Sequence, residues 1–512
     1  MTHMTGDGDR HNALANAIED ETHNVYTENG AKARDTSGDA LVDLFGLIGA
    51  MRDWADEDII NEFSKAYDED PLIATRILFH ARDIRGGLGE RRVFRVIVRW
   101  LAESHPEAVI DNIRLFGEFG RYDDLYALMD TPLESDMWKY MGRQLRLDEM
   151  NAKVDAPISL LAKWIRIPGV SSKRTSAIGH RTAVGLGYTD KELKQRVRGL
   201  RRHINIVERQ MSANDWGGID YSTVSSNAMT KHRQAFHRHD EDRFERFVHD
   251  AMEIGEDGKP KAVVHSGTLY PYDIVKPLLN SWEPEEGVTA DLLEAQWRQL
   301  PDYLGDVAKN ANVLVIADVS GSMTIPNCQP LATSIGLAMY FAERNHGAFG
   351  GLWMDFSGDS QFHRVDGDTL VSRIGNMSRG NWGMNTNLEA AFDRVLRLAI
   401  DNGVPQEDMP KALVVISDME IDAADESGWS FYDAMRDRYA EHGYEIPTVV
   451  FWNVNAHRSL FHADASRRGV ILCSGSSAAT FRNVIDAIGR TPYEAMLRTV
   501  NSPRYQCVRI AE

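Results

Sequence analysis

The chain has 512 residues, a hydrophobic fraction of 43% and a charged fraction of 26%, values of an ordinary globular protein of about two to four domains. Collagen-like, coiled-coil and wholly disordered chains are excluded, and no apolar run reaches the roughly 18 residues that span a bilayer. A formal net charge of −19 argues against the whole surface being a nucleic-acid platform but leaves local basic patches open.

The opening MTHMTGDGDRHN lacks the apolar core of a signal peptide, and residues 1–40 read as a polar, largely disordered arm, ordered from about Thr27 onward. Cys328, Cys473 and Cys507 are too few and too scattered for a disulfide framework or a cysteine-rich zinc site. A cytoplasmic protein with no membrane partner is the expectation.

Residues 41–308 carry a helical pattern. LVDLFGLIGAMRDWADEDIINEFSKAY, DPLIATRILFHARDI, ERRVFRVIVRWLAESHP and DNIRLFGEFGRYDDLYALM space apolar residues three and four apart. Turn signals such as Gly86-Gly87, Gly120 and Pro132 separate them, and ADLLEAQWRQLPDYL closes the region. Successive short helix pairs predict an all-α, HEAT-like array, although no fixed sequence period is visible.

Two basic windows lie inside this region. Arg82, Arg85, Arg91, Arg92, Arg95 and Arg99 are opposed by Asp83 and Glu90, a local charge of +4. Between Lys173 and Arg209 ten basic residues face three acids, a local charge of +7, so the remainder of the chain carries −26. KELKQRVRGLRRH places Lys191, Lys194, Arg198, Arg201 and Arg202 at helix-face spacing, with Lys173 and Arg174 upstream. Lys231 and Arg233 add cations in KHRQAFHRHD, whose His232, His237 and His239 share no helix face and so make a poor metal cluster. Such windows either hold phosphates or are solvated faces paired with acids elsewhere. Trp164, Trp216, Trp382 and Trp429 are expected to pack rather than to stack on bases.

At residue 312 the pattern changes. NVLVIADVS, GAFGGLWMDFS, KALVVISDME, PTVVFWNVN and GVILCSG are short apolar runs that read as strands, alternating with amphipathic helices such as LATSIGLAMYFAERN and NLEAAFDRVLRLAID. Residues 309–512 therefore predict a doubly wound α/β sheet with its ligand site at the carboxyl ends of the strands. Asp318, Ser320 and Ser322 follow the first strand. Thr386 opens a later helix, and Asp418 ends another strand. One carboxylate and two hydroxyls around a point, joined by two further oxygens, make a hard-oxygen set suited to Mg²⁺ or another divalent cation. An aspartyl-phosphate phosphotransferase would want a carboxylate where Ser320 stands, and GSMTIP does not fit the Gly-x-Ser-x-Gly of a serine hydrolase.

The spacing of Asp318, Ser320, Ser322, Thr386 and Asp418 resembles the metal-ion-dependent adhesion site of von Willebrand factor A domains, over roughly residues 309–490. That resemblance implies Asp318, Ser320, Ser322 and Thr386 as direct ligands and Asp418 as a ligand directly or through water. It also implies an open coordination position that an acidic protein ligand can complete. An A domain after a helical array is similar to the Ro (TROVE-domain) ribonucleoproteins. The likeness is closer to a Ro-like branch found in plants, fungi and bacteriophages, carried by TENGAKARDTSGDALVDLFGLIGAMRDW, HARDIRGGLGERRVFRVIVRWLAESHP, FGRYDDL, VERQMSANDWGGIDYSTVSSNAMTKHRQAFHRHDEDRFERF, SGTLYPYDIV and WGMNTNLEAAFD. The Ro likeness implies a ring-forming helical region and a non-catalytic protein that holds structured or misfolded RNA, such as small non-coding RNA. The RNA-contact candidates are Arg85, Arg91, Arg92, Lys173, Arg174, Lys191, Lys194, Arg198, Arg201, Arg202, Lys231 and Arg233. The alternative expectation is a protein-interaction scaffold whose A domain captures an acidic partner residue through the metal, without RNA. A metal-dependent hydrolase ranks below both, because no general base is evident beside Asp318.

Overall fold

The computed structural model describes residues 23–169, 172–204, 206–279, 287–306, 312–355, 360–378, 387–421 and 431–510. It begins with a hairpin, β1 (Asn24–Tyr26) antiparallel to β2 (Lys32–Arg34) with Val25 opposite Ala33. The part of the polar arm among the described residues is held because this hairpin has a partner, close to the expected onset of order at Thr27, and residues 1–22 lie outside the described residues. Ala31 and Ala33 are buried, and the Thr27 hydroxyl and Asn29 amide donate to the carbonyls of Ile421 and Glu420.

Helices then follow one another to residue 298, and their ends sit where the sequence supplies caps. Asp39 accepts from the Val42 N–H at the start of Ala40–Leu47. Asp70 accepts from the Ile73 N–H at the start of Pro71–Arg82, where proline occupies the first position and needs no donor. Thr189 and Glu192 cap each other's backbone at the start of Asp190–Leu200. The Arg92–Ser104 helix buries Val93, Phe94, Ile97, Val98 and Leu101, the three-and-four spacing seen in its sequence.

The second half is a six-stranded sheet of order β5-β4-β3-β6-β7-β8, with β3 (Val313–Ala317), β4 (Leu352–Asp355), β6 (Ala412–Ser417), β7 (Thr448–Asn453) and β8 (Val470–Ser474) parallel. The five expected strands are all present. The added edge strand β5 (Phe362–Arg364) is antiparallel to β4 and had no sequence signal of its own. Along β3, Leu314 and Ile316 enter one core while Val313, Val315 and Ala317 enter another, so the sheet is buried on both faces.

Both ends of the helical stretch pack on this sheet unit. Helix Ala40–Leu47 lies against β8, and the Gly49 N–H donates to the Ser474 hydroxyl at 3.0 Å. A Cβ at Gly49 would come within 2.7 Å of the Gly475 backbone, so the approach requires glycine. At the other end, helix Pro271–Leu279 packs on helix Gln329–Arg344. The chain finally returns to its start. Arg504 pairs with the buried Asp83, Tyr505 donates to Asp83 at 3.1 Å, and His80 Nδ1 lies 3.0 Å from the Tyr505 hydroxyl. Burial pushes the Asp83 carboxyl up, but Arg504 and the Arg85 backbone outweigh it and hold it below the usual carboxylate range.

Candidate functional site

The strand order reverses between β3 and β6, and the carboxyl ends of these two neighbours carry Asp318 and Asp418. The Asp318 N–H donates to the Ile416 carbonyl at 3.0 Å, extending the ladder, so its side chain leaves the sheet at a defined point. One Asp318 oxygen accepts from the Ser320 N–H at 2.9 Å and the other from the Ser417 hydroxyl at 2.6 Å. The Ser320 and Ser322 hydroxyls are 3.0 Å apart, Ser320 buried and Ser322 exposed. Asp418 Oδ1 accepts from the Glu420 N–H at 3.2 Å, and His457 Nε2 stands 3.6 Å from Asp418 Oδ2.

Asp318 and Asp418 are 0% and 1% exposed, and Asp418 Oδ2 is buried without a hydrogen-bond partner. Burial, and after it the neighbouring Asp418 charge, push the Asp318 carboxyl well above the usual carboxylate range. The Asp418 carboxylate 3.6 Å away favours the imidazolium form of His457, against the cost of its partial burial. Two buried carboxylates beside two hydroxyls, one oxygen left unsatisfied, is an arrangement a divalent cation would complete with oxygen ligands. The donor set therefore fits such an ion. Thr386, the remaining expected ligand, lies outside the described residues.

Sequence reading missed three neighbours of this edge. Ser417 lies one residue before Asp418 inside a strand that reads as purely apolar, yet it orients Asp318. His457 follows β7, and its position past a strand end was the available signal. The β1–β2 hairpin had none, since nothing local ties Thr27 to residue 421 nearly 400 positions away.

The two basic windows are placed very differently. In the first, Arg82 is 1% exposed and pairs with Asp124 at 2.8 Å, and Arg95 pairs with both Asp123 and Asp124. Arg121 and Arg166 add to Asp123. Of the predicted contacts here, Arg85 donates to the Glu118 carbonyl at 2.7 Å, and Arg92 pairs with Asp56 and donates to the Arg52 and Trp54 carbonyls. Arg91 is exposed, and its guanidinium is held below the usual range by partial burial and by Arg121 and Arg95 nearby. The phosphate-holding role read for Arg85 and Arg92 thus competes with contacts they already make.

In the second window Lys173 and Arg174 open helix Lys173–Gly185, and Lys191, Lys194, Arg198 and Arg202 fall one or two turns apart along and just past helix Asp190–Leu200. All are exposed except Lys194, which is half-buried with its Nζ beside Gly169. Among the described residues none of these six side chains has a hydrogen-bond or ion-pair partner. Arg201 departs from the group. Its guanidinium donates to the carbonyls of Ala162 at 2.8 Å and Ile165 at 3.3 Å, so it ties down helix Leu161–Trp164 rather than facing out. Arg181 and Arg196 are likewise occupied, by Asp130 with Glu134 and by Glu149.

Lys231 is exposed on helix Ser226–His239, and Arg233 is half-buried and donates to the Thr230 carbonyl. The histidines there have separate partners: His232 lies 3.8 Å from Glu208, His237 gathers with Glu241 and Glu245 at 3.7 and 3.1 Å, and His239 stacks on Trp216. Trp164 is half-buried under the Arg121 guanidinium, whereas Trp382 and Trp429 lie outside the described residues.

Fold and site together define a two-part protein, a helix-rich region joined to an α/β unit with an acidic, hydroxyl-lined sheet edge. Residues 27–153 and 171–309, more than half of the chain, match the family described as domain of unknown function DUF2828, and the chain belongs to it. Residues 312–500 match the domain of unknown function DUF7788. The chain is 28% identical over 514 residues to uncharacterized protein L728 of Acanthamoeba polyphaga mimivirus, covering 93% of this chain and 87% of that relative. Among solved structures, the crystal structure of the Deinococcus radiodurans Ro (RSR) protein is similar at a TM-score of 0.38 and 15% identity, covering 84% of this chain and 93% of that one. A score that low carries no argument for a shared fold or function. Among the described residues no helix is long and apolar enough to cross a membrane.

Proposed function

We propose that this protein binds RNA through the outward cations of residues 173–202, and that the sheet edge at Asp318 and Asp418 holds a divalent cation in the manner of a von Willebrand A-type adhesion site. One observation carries the RNA reading. Lys173, Arg174, Lys191, Lys194, Arg198 and Arg202 have no protein partner among the described residues, on a chain whose net charge is strongly negative. Unpaired cations gathered on an otherwise acidic protein attract a polyanion locally while the remaining surface repels it elsewhere. No turnover is proposed. When bound, the cation would neutralise the two buried carboxylates and offer a Lewis-acidic position beside the exposed Ser322, with Asp318, Ser320, Ser322 and Asp418 as the described groups that would hold it.

The test is a titration of a structured RNA carrying a single-stranded 3′ tail, across a salt series with excess tRNA. Wild type is compared with a Lys191→Glu/Arg198→Glu/Arg202→Glu variant. A steep salt slope that flattens in the variant supports the reading, with a loss of about two powers of ten in affinity expected for three lost phosphate contacts. Equal binding by both proteins, or none at low salt, rejects it. A second reading, capture of an acidic protein residue at the cation, is favoured by the exposure of Ser322 at the site. It predicts a protein partner released by chelation and by Asp318→Ala, neither of which abolishes RNA binding in the first reading.

A further inference from the structure

A groove of about 670 Å³ opens between helix Glu134–Lys153 and the carboxyl-terminal end of helix Lys173–Gly185. Two glycines shape it. Gly185 sits so close to the Trp138 indole that a Cβ would come within 2.5 Å of the ring. At Gly142, a buried position that lines the groove, a Cβ would make ordinary contact with the Arg146 guanidinium at 3.5 Å and Leu186 at 3.6 Å, so those two side chains stand over the glycine.

The charges around the groove are unequal in what they have left to offer. Glu134 is already held by Arg181 at 2.9 Å and by the Trp138 Nε1–H at 3.1 Å, and Lys139 pairs with Asp136 at 3.1 Å. Arg143 and Arg146 are exposed and have no partner among the described residues. They lie three apart, on the side of the helix that lines the groove. The volume is far more than a lone anion needs and falls within the roughly 300–1,000 Å³ of sites for small organic ligands. A guanidinium fork matches a phosphate, and a guanidinium plane stacks on an unpaired base.

We infer that this groove is a nucleotide subsite. It takes one unit of a single-stranded RNA, with the phosphate on Arg143 and the base laid against the Arg146 guanidinium and Leu186. The inference rests on the RNA-binding reading above but uses a different set of residues. Bases inside a duplex are stacked and cannot enter, so the groove confers a preference for single strands.

The test compares a short single-stranded RNA bearing 2-aminopurine with the same sequence in a duplex, and adds adenosine 5′-monophosphate as a separate probe. The variants are Arg143→Gln/Arg146→Gln and Gly142→Ala. The added methyl of Gly142→Ala makes ordinary contacts and suits a helix interior, so this variant folds while filling the space under the Arg146 guanidinium and Leu186. Wild type should bind the single strand with a change in 2-aminopurine fluorescence. The double variant should lose about tenfold in single-strand affinity, with the salt slope lower by about one and duplex binding unchanged. Gly142→Ala should lose the fluorescence change. If both variants keep wild-type single-strand affinity and fluorescence, the inference is overturned while the basic-face reading stands. It is also overturned if an oligoglutamate peptide occupies the groove and the monophosphate does not. If wild type binds no RNA, the RNA reading and the single-strand inference are overturned together, whether or not the monophosphate binds.

Discussion

Between Arg82 and Arg99 the guanidinium groups mostly turn toward the protein, and between Lys173 and Arg202 most of the cations turn away from it. The first window shares the buried carboxylates Asp123 and Asp124 with Arg121 and Arg166, and Asp83 beside it receives Arg504 from the far end of the chain. The second mostly faces solvent and, among the described residues, spends only Arg181, Arg196 and Arg201 on the fold. Local charge was similar in kind. The difference lies in whether the fold delivers an acid to each cation, which makes the first window a structural joint and leaves the second available to a polyanion.

The largest effect expected from breaking this contrast is at Arg82. Arg82→Ala leaves Asp124 buried with one guanidinium fewer, and removal of one partner from a buried pair costs about 3–5 kcal/mol. Urea unfolding should show a loss of that order, and a loss under 1 kcal/mol would mean that Arg95 alone satisfies Asp124.

The same joint should make the protein acid-sensitive. Burial holds His80 neutral, lowering its pKa to about 4 from an ordinary 6.5. The unfolded chain therefore binds this proton first. The stabilisation is fully present above pH 6.5 and is lost as pH falls toward 4, by about 3 kcal/mol in all. Unfolding free energy measured from pH 7 to 4 should fall accordingly, and His80→Gln should remove this part of the slope.

At the sheet edge, Mg²⁺ at about a hundred times its dissociation constant should raise stability by about 2.7 kcal/mol. Thermal unfolding with and without the ion checks this, and Asp318→Asn should abolish the response. An equal response in Asp318→Asn would place the ion elsewhere.

The smallest effects sharpen the comparison within the second window. Arg201→Ala should cost about 1 kcal/mol because two carbonyls lose a donor, whereas Arg202→Ala should change stability by less than about 0.5 kcal/mol. RNA affinity should show the reverse order, falling more for Arg202 than for Arg201. Equal behaviour of the two in both measurements would dissolve the distinction between fold-bound and outward cations.

Much of this was readable in the chain. Strands β3, β4, β6, β7 and β8 and the helical stretch announce themselves because burial imposes a period on apolar residues, and Asp318 and Asp418 are visible as carboxylates at strand ends. Strand alternation implied a parallel sheet with its loops on one edge, but the pairing of β3 with β6 that brings the two carboxylates together is read from the structure. Ser417, His457 and the β1–β2 hairpin were not visible as site neighbours, since their roles depend on contacts far apart in sequence. The sequence by itself determined the long helices, the five parallel strands and which oxygens could gather at the sheet edge, because these depend on local period and strand-end position. Only the tertiary structure decided that Arg82 is interior, that Arg201 caps a helix while Arg202 faces solvent, and that Gly142 opens a groove. In each case the outcome depends on which distant backbone or carboxylate reaches the side chain, and adjacent cations carry no local mark of that.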